Sequence, residues 1–147
     1  MSEQQQPDFH VAPADWQRDA DDLTAVREDV FIREQGVSRE EEMDGLDELC
    51  AHVVARDQSG QAIGTARLDT EGHIGRVAVL KAWRGAGVGK QLMEAIMALA
   101  AEQGRGSVVL NSQVHASGFY QQLGFVPEGE EFEEAGIPHI KMVRMLA

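Results

Sequence analysis

The chain has 147 residues, 43% of them hydrophobic and 26% charged, a length and balance that suit one folded domain with a proper core. With 13 basic against 25 acidic residues its formal charge is −12, which argues against nucleic acid as a partner, because such a surface repels phosphate backbones. No apolar run reaches the ~18 residues of a transmembrane helix, and the opening MSEQQQPDFH lacks the basic start and apolar core of a signal peptide, so a cytoplasmic protein without membrane contact is expected.

In chain order, FHVA (9–12) reads as a short first strand. Residues 15–35 place Leu23, Val26, Val30 and Phe31 at helical spacing, and Gly36 stops the run. SREEEMDGLDEL (38–49) is an acidic loop or short helix. The single cysteine, Cys50, rules out an internal disulfide and reads as core filling. AHVVARD (51–57) and AIGTARLD (62–69) form a hairpin across the QSGQ turn, and HIGRVAVL (73–80) follows as a third strand. A helix then carries Val88, Leu92, Ile96 and Ala100 on one stripe, with Met93 and Met97 as further core. SVVLNSQ (107–113) is a strand and HASGFYQQLG (115–124) a short helix. FVPEG opens the last segment, and IKMVRML (140–146) closes the chain as an edge or hairpin strand. The order β-α-β-β-β-α-β-α-β-β describes a mixed sheet with helices on both faces. No Cys/His cluster has the spacing of a metal site.

The chemistry concentrates between the third strand and the long helix, where Gly85, Gly87 and Gly89 fall at every second position. A helix N-terminus presents unpaired N–H groups and the positive end of the helix dipole, and glycines let a bulky anion approach the backbone. Phosphate or pyrophosphate is the natural guest. A P-loop is excluded, since Arg84 and Gln91 stand where it needs Gly and Ser/Thr, and the dinucleotide fingerprint is excluded because its third glycine falls on Lys90. Arg84-x-x-Gly87-x-Gly89 remains.

The stretch VAVLKAWRGAGVGKQLM resembles the acyl-CoA signature of the GCN5-related N-acetyltransferases (GNAT superfamily), and HASGFYQQLGF resembles the same family's closing helix. Both motifs occur in the family's order within residues 77–125. FIREQGV, QVHASGFY and EAGIPHIKM resemble in addition a bacterial branch of acyltransferases of the ElaA and YjcF type. The resemblance implies an α/β fold around a mixed, mostly antiparallel sheet of six to seven strands, with a V-shaped splay between strands 73–80 and 107–113. It implies acetyl-CoA as donor and no metal. Backbone amides of Arg84, Gly85, Ala86, Gly87, Val88 and Gly89, with Lys90 beside them, would hold the pyrophosphate. Val77, Ala78 and Val79 would line the pantetheine arm, the Val79 amide polarising the thioester carbonyl. Phe119 and Tyr120 would meet the donor from the closing helix, Tyr120 protonating the departing thiolate. Many members carry Asn seven residues before that tyrosine; this chain has Gln113 there, with Asn111 as a substitute on the same strand face. Glu34, His115 and His139 are the candidates for the base that deprotonates the amine. Arg33 and the acidic loop around Asp44 are further candidate acceptor contacts. The acceptor would be a small-molecule amine, and a homodimer is a further expectation. The competing readings are a protein acetyltransferase acting on lysine or an N-terminus, and a non-catalytic acyl-CoA-binding module.

Overall fold

A computed structural model describes residues 8–146. They form a seven-stranded sheet in the order β1-β2-β3-β4-β5-β7-β6. The strands are β1 (Phe9–Ala14), β2 (Ala51–Asp57), β3 (Ala62–Leu68), β4 (His73–Val79), β5 (Ser107–Gln113), β6 (Val126–Glu134) and β7 (Ile137–Met145). Every neighbouring pair is antiparallel except β4 and β5, which run parallel.

Helices cover both faces. On one, α1 (Trp16–Arg27) buries Leu23, Val26 and the following Val30 against Val54, Ala62 and Ala78. Asp15 caps it, its side chain accepting from the amides of Gln17 and Arg18. On the other face α3 (Val88–Glu102) buries Val88, Leu92, Met93, Ile96, Met97 and Ala100 against Val53, Ile63, Ile74 and Val108. The stripe expected from the sequence is thus the buried face. Gly64 of β3 permits this approach, since a Cβ there would lie 2.9 Å from Leu92 Cδ1.

One expectation is corrected and two open alternatives are resolved. The first helix does not run uniformly to residue 35: from Glu28 to Glu34 it widens into a π-helical turn, with Gln35 N–H bonding to Val30 O. Such turns redirect side chains and recur at functional sites. The acidic 38–49 segment holds a four-residue helix, α2 (Arg39–Glu42), closed by a Ser38–Glu41 capping box, then a 3₁₀ turn, Asp47–Leu49. The closing strand starts earlier than expected, at Ile137, and of the two alternatives is the hairpin strand: β7 pairs with β6 and lies between it and β5, so β6 forms the border. Cys50 is half-buried, its thiol donating to Leu46 O, and burial pushes its pKa up.

Candidate active site

The parallel pairing of β4 and β5 consists of His73 with Val109 and Ile74 with Leu110, after which the strands part. A register shift against β3 accompanies the parting: Gly75 and Ala78 pair with Arg67 and Thr65, so Arg76 and Val77 together oppose Ala66. Arg76 sits at φ 52°, left-handed for a non-glycine residue, and Thr65 Oγ1 donates to its carbonyl. This bulge bends the strand and re-aims its side chains. Leu80 N–H bonds to Ile63 O, so the next pair, Gly64–Val79, is a non-hydrogen-bonded one. Val79 therefore turns its N–H and C=O to the open edge.

The parting opens a cleft of about 1080 Å³, at the upper end of the volumes of small-molecule sites. Val77, Ala78 and Val79 form one wall; Asn111 and Gln113 of β5 form the other. At one mouth the chain turns through Gly85 (φ 87°) and Gly87 (φ 88°) into α3. A Cβ at either glycine would meet nothing within 4 Å, so the turn needs glycine for its backbone angles and leaves open space above it. Successive amides in such a turn, at the head of a helix, suit a diphosphate. Gly89 sits close under the closing helix, where a Cβ would come 3.2 Å from Phe119 Cζ. Arg84, Gly85, Gly87, Val88 and Gly89 line the cleft; Ala86 and Lys90 do not, and Lys90 is exposed. The residues present fit a nucleotide-bearing acyl thioester: an anion cradle, an open strand edge, and a chamber beyond.

The short helix α4 (Ser117–Gln122) presents Tyr120 to the cleft, packed edge-on between Phe119 and Phe125. Burial pushes its phenol up to about 12, so it stays protonated at neutral pH. Glu34, on the π turn, accepts two hydrogen bonds of 2.7 Å from Arg84, and that guanidinium holds its carboxyl below the usual range. Arg84 Nε donates in addition to Val79 O. Gln113 Nε2 donates to Gln35 Oε1, tying β5 to the end of the first helix. His115 is exposed on the turn before α4. His139, 6% exposed, holds Nδ1 2.6 Å from Ile137 O and stacks on Phe132. All four candidates for acid and base line one cleft.

Sequence reasoning missed the floor of the cleft's far half. Arg67 and Arg76 line it, bonded respectively to Asp44 and Asp47, and to Glu42 and Asp44. Buried Arg27 bonds to Glu42 and Asp47 from behind. Arg67 holds Asp44 well below the carboxylate range; burial opposes Asp47's charge, but Arg27 and Arg67 outweigh it and hold it low as well. Asp44 is thus bound up in structure, and Arg33 pairs on the surface with Asp29. The pairs made by Arg27, Arg67 and Arg76 span 15 to 34 residues and leave no local signal. Glu134 was also missed. The two-residue Ala135-Gly136 turn, with φ of 55° and 76°, could have located its hairpin. Among the described residues no group of three or more His, Cys, Asp or Glu is placed to hold a metal ion, and no helix is long and apolar enough to cross a membrane.

A family model described as an acetyltransferase (GNAT) domain matches residues 19–146. YjcF of Bacillus subtilis, an uncharacterized N-acetyltransferase, is 40% identical over 127 residues, 84% of this chain and 90% of its own. Among solved structures, an acyl-CoA N-acyltransferase from Pseudomonas aeruginosa superimposes with a TM-score of 0.81 at 32% identity, covering 93% of this chain and 99% of that one. Escherichia coli ElaA does so with a TM-score of 0.80 at 32% identity, covering 92% and 99%.

Proposed function

Because the chain belongs to the GNAT acetyltransferase family, and is an acyltransferase on that ground, we propose that it moves an acetyl group from acetyl-CoA to a primary amine of a small molecule. The observation that carries this reading is the end of β4–β5 pairing at Ile74 and Leu110, which turns the Val79 amide into a cleft shared with Tyr120 and the glycine turn. In that arrangement the amides of the 84–89 turn hold the diphosphate, and the open β4 edge takes the extended arm. The Val79 N–H supports the oxygen charge that develops as the amine attacks the thioester carbonyl. Tyr120 gives its proton to the leaving sulfur. A protonated phenol is a competent donor at neutral pH, and a purely binding module would have no use for an acid there.

Arg84 carries a charge suited to the donor's phosphates, yet it is engaged by Glu34. We read Glu34 as the residue that holds Arg84 across the mouth rather than as the base. His139 suits the base better. With Nδ1 against a carbonyl it must carry its proton there, which leaves the Nε2 lone pair free in the neutral ring. The Gln35–Gln113 bond ties the β5 wall to the end of the first helix, so the acceptor half resembles a chamber more than a through-groove, which favours a small acceptor.

The test is release of CoA thiol from acetyl-CoA across a panel of small amines and a lysine-containing peptide, with products identified by mass. Acetylated small amines are expected; transfer to the peptide alone would assign the protein-directed reading, and CoA binding without transfer the non-catalytic one.

A further inference from the structure

We infer that Glu134 anchors the acceptor's ammonium group, and that the acceptor is an amine with no carboxylate beside its amino group. The inference rests on the acyl-transfer reading above and names the substrate class of that same site.

The Ala135-Gly136 turn joins β6 to β7 so that Glu134 pairs with Ile137 and Phe132 with His139. Residues two apart share a strand face, so Glu134, Phe132, Ile137 and His139 stand on one side of the hairpin, and Glu134 and His139 are diagonal neighbours. Both line the cleft. Glu134 Oε2 lies 4.0 Å from His139 Nε2, too far for a hydrogen bond between them. An ammonium nitrogen placed between the two can reach both at once, one N–H toward the carboxylate and one toward the imidazole lone pair. The partners are held for this. The Ile137 carbonyl fixes the ring's tautomer and Phe132 stacks on its face, while Asn111 Nδ2 approaches Glu134 Oε1 at 3.5 Å and leaves Oε2 to the cleft.

The rest of the lining sets the charge of the acceptor. Arg67, Arg76 and Arg84 are the only arginines or lysines among the described residues that line the cleft, and each is bonded to a carboxylate of the chain itself. An acceptor carboxylate would find no uncommitted guanidinium, and beside the amino group it would lie against Glu134. An amine alone meets the anion it needs.

The ammonium gives one proton to His139 Nε2, and the imidazolium so formed is stabilised by Glu134. The freed nitrogen pair forms the bond to the acetyl carbon, the carbon–sulfur bond breaks as the sulfur takes its proton from Tyr120, and the attacking nitrogen gives up its second proton, through water, to restore the Tyr120 phenol. His139 releases the first proton to water before the next turnover.

Matched acceptors test this directly: phenethylamine against phenylalanine, and leucinol against leucine, each pair differing at the carboxylate. The wild-type protein is expected to favour the carboxylate-free member in kcat/KM by at least about tenfold, the scale of one charge-assisted contact. Glu134→Gln, at a half-exposed position that threatens no core, should raise KM for the amine by about tenfold or more and leave acetyl-CoA affinity by calorimetry unchanged. Glu133→Gln removes the same charge from the opposite strand face and should alter neither. Transfer with an unchanged KM in Glu134→Gln, an equal loss in Glu133→Gln, or preference for the amino acids would overturn the inference and leave acyl transfer standing. Absence of transfer to every amine tried, with CoA bound, would overturn both.

Discussion

At the scale of single residues, the donor side and the acceptor side differ in how far they could be read. Tyr120 was legible because a short motif fixes it relative to Gly124 and Phe125, and the fold delivers it to the cleft. What the sequence does not show is its burial, which raises the phenol to about 12. A proton donor with a raised pKa stays protonated further into the alkaline range, so the rate should not fall through phenol ionisation near the ordinary value of about 10. Tyr120→Phe should lower kcat about 100-fold with acetyl-CoA affinity nearly intact; turnover equal to wild type would hand the proton to water. Glu34 was legible as a cleft residue but not as the partner of Arg84, which lies 50 positions away. Its carboxyl is held low by that guanidinium, making it a weak base. Glu34→Gln should therefore reduce kcat several-fold at most and act mainly on acetyl-CoA binding through Arg84, whereas a loss of about 100-fold in kcat alone would restore it as the base.

Among the elements, those with a buried face announced themselves and those without did not. The core stripe of α3 and the apolar strands β2 and β3 follow directly from periodicity. β6, VPEGEEFEE, is exposed at every position and so offers no alternation to read. The π turn was hidden for another reason: it preserves apolar spacing while shifting hydrogen bonds by one residue, which composition does not record. The glycine turn was legible because Gly85 and Gly87 stand where positive φ is required. Gly87→Glu should abolish measurable acetyl-CoA binding, since a carboxylate would occupy the anion cradle. Its left-handed backbone costs about 1–2 kcal/mol of stability, and Gly60→Glu, at φ 91° in the β2–β3 turn, controls for that cost. Calorimetry finding equal affinity in a folded Gly87→Glu protein would remove the turn from the site.

On the scale of the whole molecule, a chain of formal charge −12 must offset its own repulsion, and the Arg27, Arg67 and Arg76 network does this locally beneath the cleft. Asp44, Asp47 and Glu34 have folded-state pKa values below their unfolded ones. Their contribution is present in full above the ordinary carboxylate range and is lost as pH falls through the lower folded values. The melting temperature should therefore drop steeply below about pH 4, and Asp47→Asn should cost about 3–5 kcal/mol by leaving two buried guanidiniums short of a partner. A flat melting temperature down to pH 3 would refute that role of the network. On the reading proposed above, the open edge of β4 is the seat of the donor. Amide hydrogen exchange with and without acetyl-CoA reads that edge without any knowledge of the acceptor. Slowed exchange at residues 75–79, at the 84–89 turn and in α4 is the predicted result; protection confined to other strands, or none at these three segments when the ligand is bound, would contradict it.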